Sequence, residues 1–304
     1  MQDLILKQEI KDLHYSVETL MKSPLIRKKV KRIYDLVENE NVPKLQLAII
    51  RWFVDIIDPE LKRAYNKSFR SLQKDKASTT SARIIRNTNW KWIEEQGENI
   101  LKPIYLTVLA GGGQAAYTLA GIGANFNVVK PEAIKAVDEI CAALITEVTT
   151  KQITAIKKLV KLAIKEGRSM TELAASLKKT IGLHWKWSQA LYRFEWKLRD
   201  KKIPTGIVNK KVNKYKKLLL QRRHLMIART ETAIAQSYGS LIGYRDIGAQ
   251  RVRFYAAHGA CEECAALDGR IYPISHAFGI IPVHPHGRCD WLAVTPVRGF
   301  RIPG

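Results

Sequence analysis

A chain of 304 residues is long enough to bury a real core in one large or two ordinary domains. Its apolar fraction of 46% and charged fraction of 26% are ordinary for a soluble protein. The balance of charge is not: 51 Lys and Arg against 28 Asp and Glu leave +23, which points to a polyanion, nucleic acid first and an anionic membrane surface second. Four cysteines, one of them isolated at Cys141, do not form a disulfide scaffold and fit a reducing cytosol.

In chain order, LILKQEIKDLHYSVETLM and KLQLAIIRWFVDII repeat their apolar residues at helical intervals, and Asp58-Pro59 closes the second. The N-terminus carries charges through its apolar residues and has no apolar core segment, so no secretory leader is expected. Between Pro103 and Val129 there is no charge, a length that could span a bilayer, but the GGGQ at 111–114, Asn125 and Asn127 make it too polar. The Gly- and Ala-rich part, Ala110 to Asn127, reads as a break or joint.

Pro131 suits the first turn of a helix that runs to Gly167, with a possible joint near Thr149. SMTELAASLKKTIG is a shorter helix with a capping box, Ser169 and Glu172. An aromatic and lysine-rich tract follows and ends in the loop IPTGIVNK. The segment from Tyr215 is amphipathic up to its stop at Gly248. There the period shortens: RVRFYAA, RIYPI and CDWLAV read as strands, with Asp268-Gly269 as a tight hairpin turn. The fold class is therefore α+β: an N-terminal helical region at 1–110, a helical body with a basic tract at 125–248, and a small β-rich Cys/His unit at 249–304.

The last unit holds the chemistry. Cys261 and Cys264 form a C-x2-C knuckle, and His284 and Cys289 follow after a hairpin and an extended loop. Together they offer four N/S ligands, the number and softness that tetrahedral Zn²⁺ prefers. His286 and His258 are alternatives for the histidine position. Competing readings are ordinary core thiols, a Cys261–Cys264 redox pair, which lacks the strand-to-helix turn such pairs use, and a lapsed metal site held by packing. Four protein ligands leave no open coordination position, and Glu262 and Glu263 point away within the knuckle. The metal therefore reads as structural and the chain as no enzyme.

IARTETAIAQSYG, VRFYAAHGACEECAALDGRIY and IPVHPHGRCDW carry a further pattern. The sequence resembles the phage Mu protein F-like family of minor head proteins. Its hallmarks are an R-T-E helix, a C-x2-C-x2-L-x-G knuckle and a closing H-P-x-x-R-C. Here these fall on Arg229, Thr230, Glu231, Cys261, Cys264, Leu267, Gly269, His284, Pro285, Arg288 and Cys289. The junction VKLAIKEGRSMTELA fits as well, so the resemblance covers roughly residues 125 to 292. Gly287 stands where members often have a cysteine, His258 where an acidic residue is common, and the tract near 193–217 looks like an insertion. The resemblance implies a virion component, made in the host bacterial cytoplasm and joined to the head near the portal. Its implied partners are portal and capsid proteins, with no membrane and no small-molecule substrate.

Arg229 and Glu231 are two residues apart on a helix and face different ways, so each reads as a structural polar anchor to a separate neighbour. An R…E pair also suggests ADP-ribosyl transfer, but no nicotinamide-binding pattern accompanies it. Residues 151 to 224 hold 21 Lys and Arg against four Asp and Glu, a net of +17. Lysines outnumber arginines there by 16 to 5, so DNA contact would neutralise phosphates without reading bases. The candidates are Lys201, Lys202, Lys210, Lys211, Lys214, Lys216, Lys217, Arg222 and Arg223. A solvated helix face or a dock for an acidic protein such as a portal are the other readings. Trp187, Leu191, Phe194 and Leu198 recur at helical spacing and read as core, not as a base-stacking platform. Rivals to the head-protein reading are a zinc-dependent DNA nuclease and a host nucleic-acid-binding adaptor.

Overall fold

The computed structural model describes residues 24–69 and 77–294, and the LILKQEIKDLHYSVETLM helix lies outside them. The described chain is mostly helical, with a small antiparallel sheet near its C-terminal end. Its helices are α1 (Pro24–Arg51), α2 (Asp58–Phe69), α3 (Ala77–Asn87), α4 (Trp90–Leu119), α5 (Pro131–Lys165), α6 (Met170–Thr180), α7 (Trp185–Asp200) and α8 (Thr205–Asp246). Strand β1 (Arg251–Tyr255), the short helix α9 (Glu262–Ala265), β2 (Ile271–Pro273), α10 (Ile274–Ala277) and β3 (Asp290–Ala293) follow. No helix among the described residues is long and apolar enough to cross a membrane.

The chain divides into two compact units built from interleaved stretches. Of the described residues, the first takes those up to Leu45, Lys102–Ile140 and those from Met226 on; the second takes those between Gln46 and Leu101 and Cys141–Leu225. Helices α1, α4, α5 and α8 each run through a boundary, so local sequence gives no sign of it.

In the first unit, the sheet order is β2-β1-β3, both pairs antiparallel. Val252 faces Tyr272 and Ala293, and Phe254 faces Trp291, so alternate β1 side chains enter one core. Phe254 and Tyr272 each set an edge against the Trp291 ring, and Tyr244, Ile274, Ile281, Cys264 and Cys289 close around them. The polar groups around Trp291 are paired. Tyr34 Oη donates to the Trp291 carbonyl at 2.6 Å and Trp291 Nε1 donates to Ser237 Oγ at 2.9 Å. Asp290 accepts from Gln236 Nε2 at 2.7 Å and from the Trp291 amide, while burial pushes its carboxyl up to about 7.

The GGGQ stretch is not a break. Helix α4 continues through it to Leu119 because the glycines let α4 and α8 touch backbone to backbone. A Cβ on Gly112 would lie 2.1 Å from the Gln236 carbonyl oxygen, and one on Gly239 would lie 2.0 Å from that of Leu109. The tight hairpin also needs correcting. Fifteen residues separate β1 from β2, and Asp268-Gly269 is only their return turn, with Gly269 at φ +82 donating to the Phe254 carbonyl.

In the second unit, Asp58-Pro59 does not end a helix. Trp52–Ile57 winds as a π-helical stretch and α2 follows at once, since Pro59 sits in a first turn where no amide is needed. Trp52 donates to the Ile93 carbonyl at 2.9 Å and lies against Gly97, which has no Cβ to displace it. Helix α5 is unbroken at Thr149, whose hydroxyl bonds back to the Ile145 carbonyl, and Gly167 (φ +68) terminates it. The capping box forms as expected: Ser169 Oγ accepts from the Glu172 amide and Glu172 accepts from the Ser169 amide. IPTGIVNK is mostly helix, because α8 begins at Thr205. Its first turns bury Val208, Val212 and Leu219 against Leu191, Trp187, Phe194 and Leu198 of α7, so the aromatic stripe is core.

Candidate metal centre

The centre starts where β1 ends. The Ala256 amide donates to Asp268 Oδ1 at 3.0 Å, and Asp268 Oδ2 accepts from Arg27 Nη2 at 2.7 Å. That carboxylate clamps both ends of the loop that presents the knuckle. Cys261 caps α9, and the Ala265 amide donates to its carbonyl at 2.8 Å, which turns Cys261 and Cys264 toward the same side. Glu262 and Glu263 are exposed, as expected from the sequence.

His284 closes the group from the loop before β3. Its Nε2 lies 3.1 Å from Cys261 Sγ and 3.3 Å from Cys264 Sγ, and the three ligand atoms all lie within 4.8 Å of one another. His284 Nδ1 is 2.9 Å from the Pro285 carbonyl. With its proton there, Nε2 keeps a lone pair aimed at the sulfurs, the outer hydrogen bond that metal-bound histidines use. A tetrahedral Zn²⁺ with its usual bond lengths places S and N about 3.5 Å apart, so a few tenths of an ångström of opening fits the ion. The three residues could hold a metal ion.

Without a metal the thiols differ. The Cys264 amide pointed at the Cys261 sulfur holds the exposed Cys261 thiol below the usual range. Burial pushes Cys264 up to about 12, and the neighbouring Cys289 thiol adds to this. Burial also raises Cys289, against a hydrogen bond from the Ala257 amide. For His284, the Pro285 carbonyl favours the protonated ring and raises its pKa. A bound cation would reverse the thiol preference, since a coordinating thiol is deprotonated outright.

The expected fourth ligand is not in the group. Cys289 is buried in the same core as Trp291, its thiol beside that of Cys264, and does not join the cluster of three. The spare histidines are outside it too. His286, at φ 65, is exposed, and His258 is exposed on the loop after β1.

Helix α8 holds this loop through a residue that sequence reasoning passed over as an anchor. Thr230 Oγ1 donates to the Met226 carbonyl and accepts from the His286 amide at 3.2 Å, two residues beyond the histidine ligand. Glu231 is buried and accepts from Tyr105 Oη of α4 at 2.6 Å. Arg229 is exposed and near Glu38 and His286: burial first and its charge second lower the His286 pKa, while burial raises that of Glu38 against the charges of Arg288 and Arg229. Consecutive helical residues point about 100° apart, so R-T-E addresses three neighbours at once, a signal that was available in the spacing.

Of the basic candidates, Lys201, Lys202, Lys210, Lys211, Lys214, Lys217 and Arg222 are exposed. Arg223 is a correction. It is buried, donates to the Gly182 carbonyl and stacks over Phe53, so no phosphate reaches it; burial lowers its pKa to about 10. Lys216 is half-buried, with its ammonium 3.5 Å from the Lys178 carbonyl and its pKa lowered by burial.

No family model, curated protein or solved structure matches this chain.

Proposed function

We propose that this chain is a bacteriophage minor head protein, a non-catalytic virion component assembled near the portal, whose C-terminal unit is closed by one structural Zn²⁺. One observation carries the reading most: motif residues far apart in sequence meet at a single centre. Cys261, Cys264 and His284 supply the ligands, and Thr230 of the R-T-E helix holds the loop that carries His284. The loop between β1 and β2 that carries the two cysteines holds only the four-residue helix α9, so the free energy of binding an ion there would become folding free energy of that loop. Cys289 reaches the fourth position if the loop around it shifts when the ion enters.

The test uses Cys264→Ser. Wild-type protein purified without added metal is expected to carry about one zinc per chain, and to be found in purified heads. The variant is expected to lose the metal and to be depleted from heads, while far-ultraviolet circular dichroism retains most of its helix signal. Zinc-free wild type with an ordered C-terminal unit would remove the metal from the proposal. Absence of the chain from heads would remove the head assignment, and plasmid cleavage with Mg²⁺ or Mn²⁺, lost in His286→Ala, would replace it with a nuclease.

A further inference from the structure

Helix α7 spends its Leu191 face on α8, but the outer side of this hairpin is left open. There Ala190, Phe194, Tyr215 and Leu218 floor a groove of about 760 Å³, and Lys211, Lys214 and Lys217 stand at its rim. That volume lies in the range of ligand clefts, about 300–1,000 Å³. The floor is apolar because Phe194 and Tyr215 pack edge to face at 5.1 Å. Along α8 the groove side continues as Ile207, Lys211, Lys214, Leu218 and Gln221, at alternating steps of four and three. Ile207 is 47% and Leu218 42% exposed, so this side shows two large apolar side chains to solvent, about 16 Å apart along the helix.

The charge is uncompensated. From Thr205 to Arg222 there is no Asp or Glu, and among the described residues no ion pair engages Lys211, Lys214 or Lys217. An apolar floor rimmed by ammonium groups without ion-pair partners complements a helix whose leucines recur at i, i+3, i+4 and i+7 with carboxylates beside them. Duplex DNA is a poorer fit, since its phosphates gain nothing from an apolar floor. Single-stranded bases are poorer too, because the two aromatic rings are already packed against each other.

We propose that this groove is a docking site for an acidic amphipathic helix of a partner protein. The inference deepens the head-protein reading by naming the chemistry of one partner, but its test needs only purified protein and peptides, so it fails separately from incorporation into heads. A fluorescein-labelled peptide with leucines at that spacing and flanking glutamates is titrated with the full chain and followed by anisotropy. Binding is expected, and Lys211→Glu/Lys214→Glu should weaken it by about tenfold or more. A peptide with lysines in place of the glutamates should show the reverse preference and bind the double variant. Leu218→Ser should weaken both, and circular dichroism should show all variants folded. No binding, equal binding to wild type and double variant, or failure of the charge-swapped peptide to rescue would each overturn the proposal. So would a short single-stranded DNA that displaces the peptide and depends on Leu218.

Discussion

Single residues in this molecule are governed by burial more than by their own chemistry. His224 is the clearest case. It is buried, its ring lies 5.0 Å from Phe53, and Nε2 has no hydrogen-bond partner among the described residues. Burial first, and the adjacent Arg223 second, lower its pKa from 6.5 to about 4. The native state therefore keeps the ring neutral, and only the unfolded chain takes up the proton between those two values. His224 contributes stability above pH 6.5 that is lost as the pH falls toward 4. Replacing it with Phe should flatten this part of the acid dependence, by on the order of 3 kcal/mol. Urea midpoints of wild type and His224→Phe, measured across that range, check it; parallel curves would show that the ring titrates freely. Arg223 teaches the same lesson in reverse. The sequence shows a cation in a basic tract, and its burial over Phe53 follows from packing that no neighbour in sequence reports.

Among the elements, the α4–α8 crossing depends on having no side chains at its centre. Gly239→Ala would drive a methyl group into the Leu109 carbonyl, and both backbones are helical, so neither yields cheaply. The expected cost is about 3 kcal/mol. Gly206→Ala in the first turn of the same helix meets nothing within 4 Å and should be neutral or stabilising, by up to about 1 kcal/mol. Thermal unfolding of the two variants separates close approach from helix propensity, and equal midpoints would sink the argument. This crossing explains why GGGQ was misread. In sequence, a run of glycines has the same composition whether it frees a loop or admits a second helix. The capping box at Ser169, the stop at Gly248 and the stripe of α7 were legible because each depends on residues three or four apart.

For the whole molecule, the +17 between residues 151 and 224 remains the dominant electrostatic fact. Duplex DNA should bind without sequence preference, with affinity falling by about 0.9 log unit per log unit of salt for each phosphate neutralised. Lys201→Gln/Lys202→Gln/Lys210→Gln, three exposed positions outside the groove, should reduce that slope without changing the fold. Gel shifts over a salt series measure it, and salt-independent binding would discard the DNA contact.

By itself the sequence determined the helical periodicity, the caps, the late change to strands, the C-x2-C knuckle with its distant histidine, and the concentration of positive charge. All of these are carried by residue type and short spacing, where backbone geometry alone decides which side chains meet. Only the tertiary structure decided that the two units interleave, that Arg223 is enclosed, that Thr230 holds the loop carrying His284, and that Cys289 lies outside the cluster of three. These depend on which distant segments pack together. That choice is made by the summed burial of whole helix and strand faces, a quantity no local stretch of sequence contains.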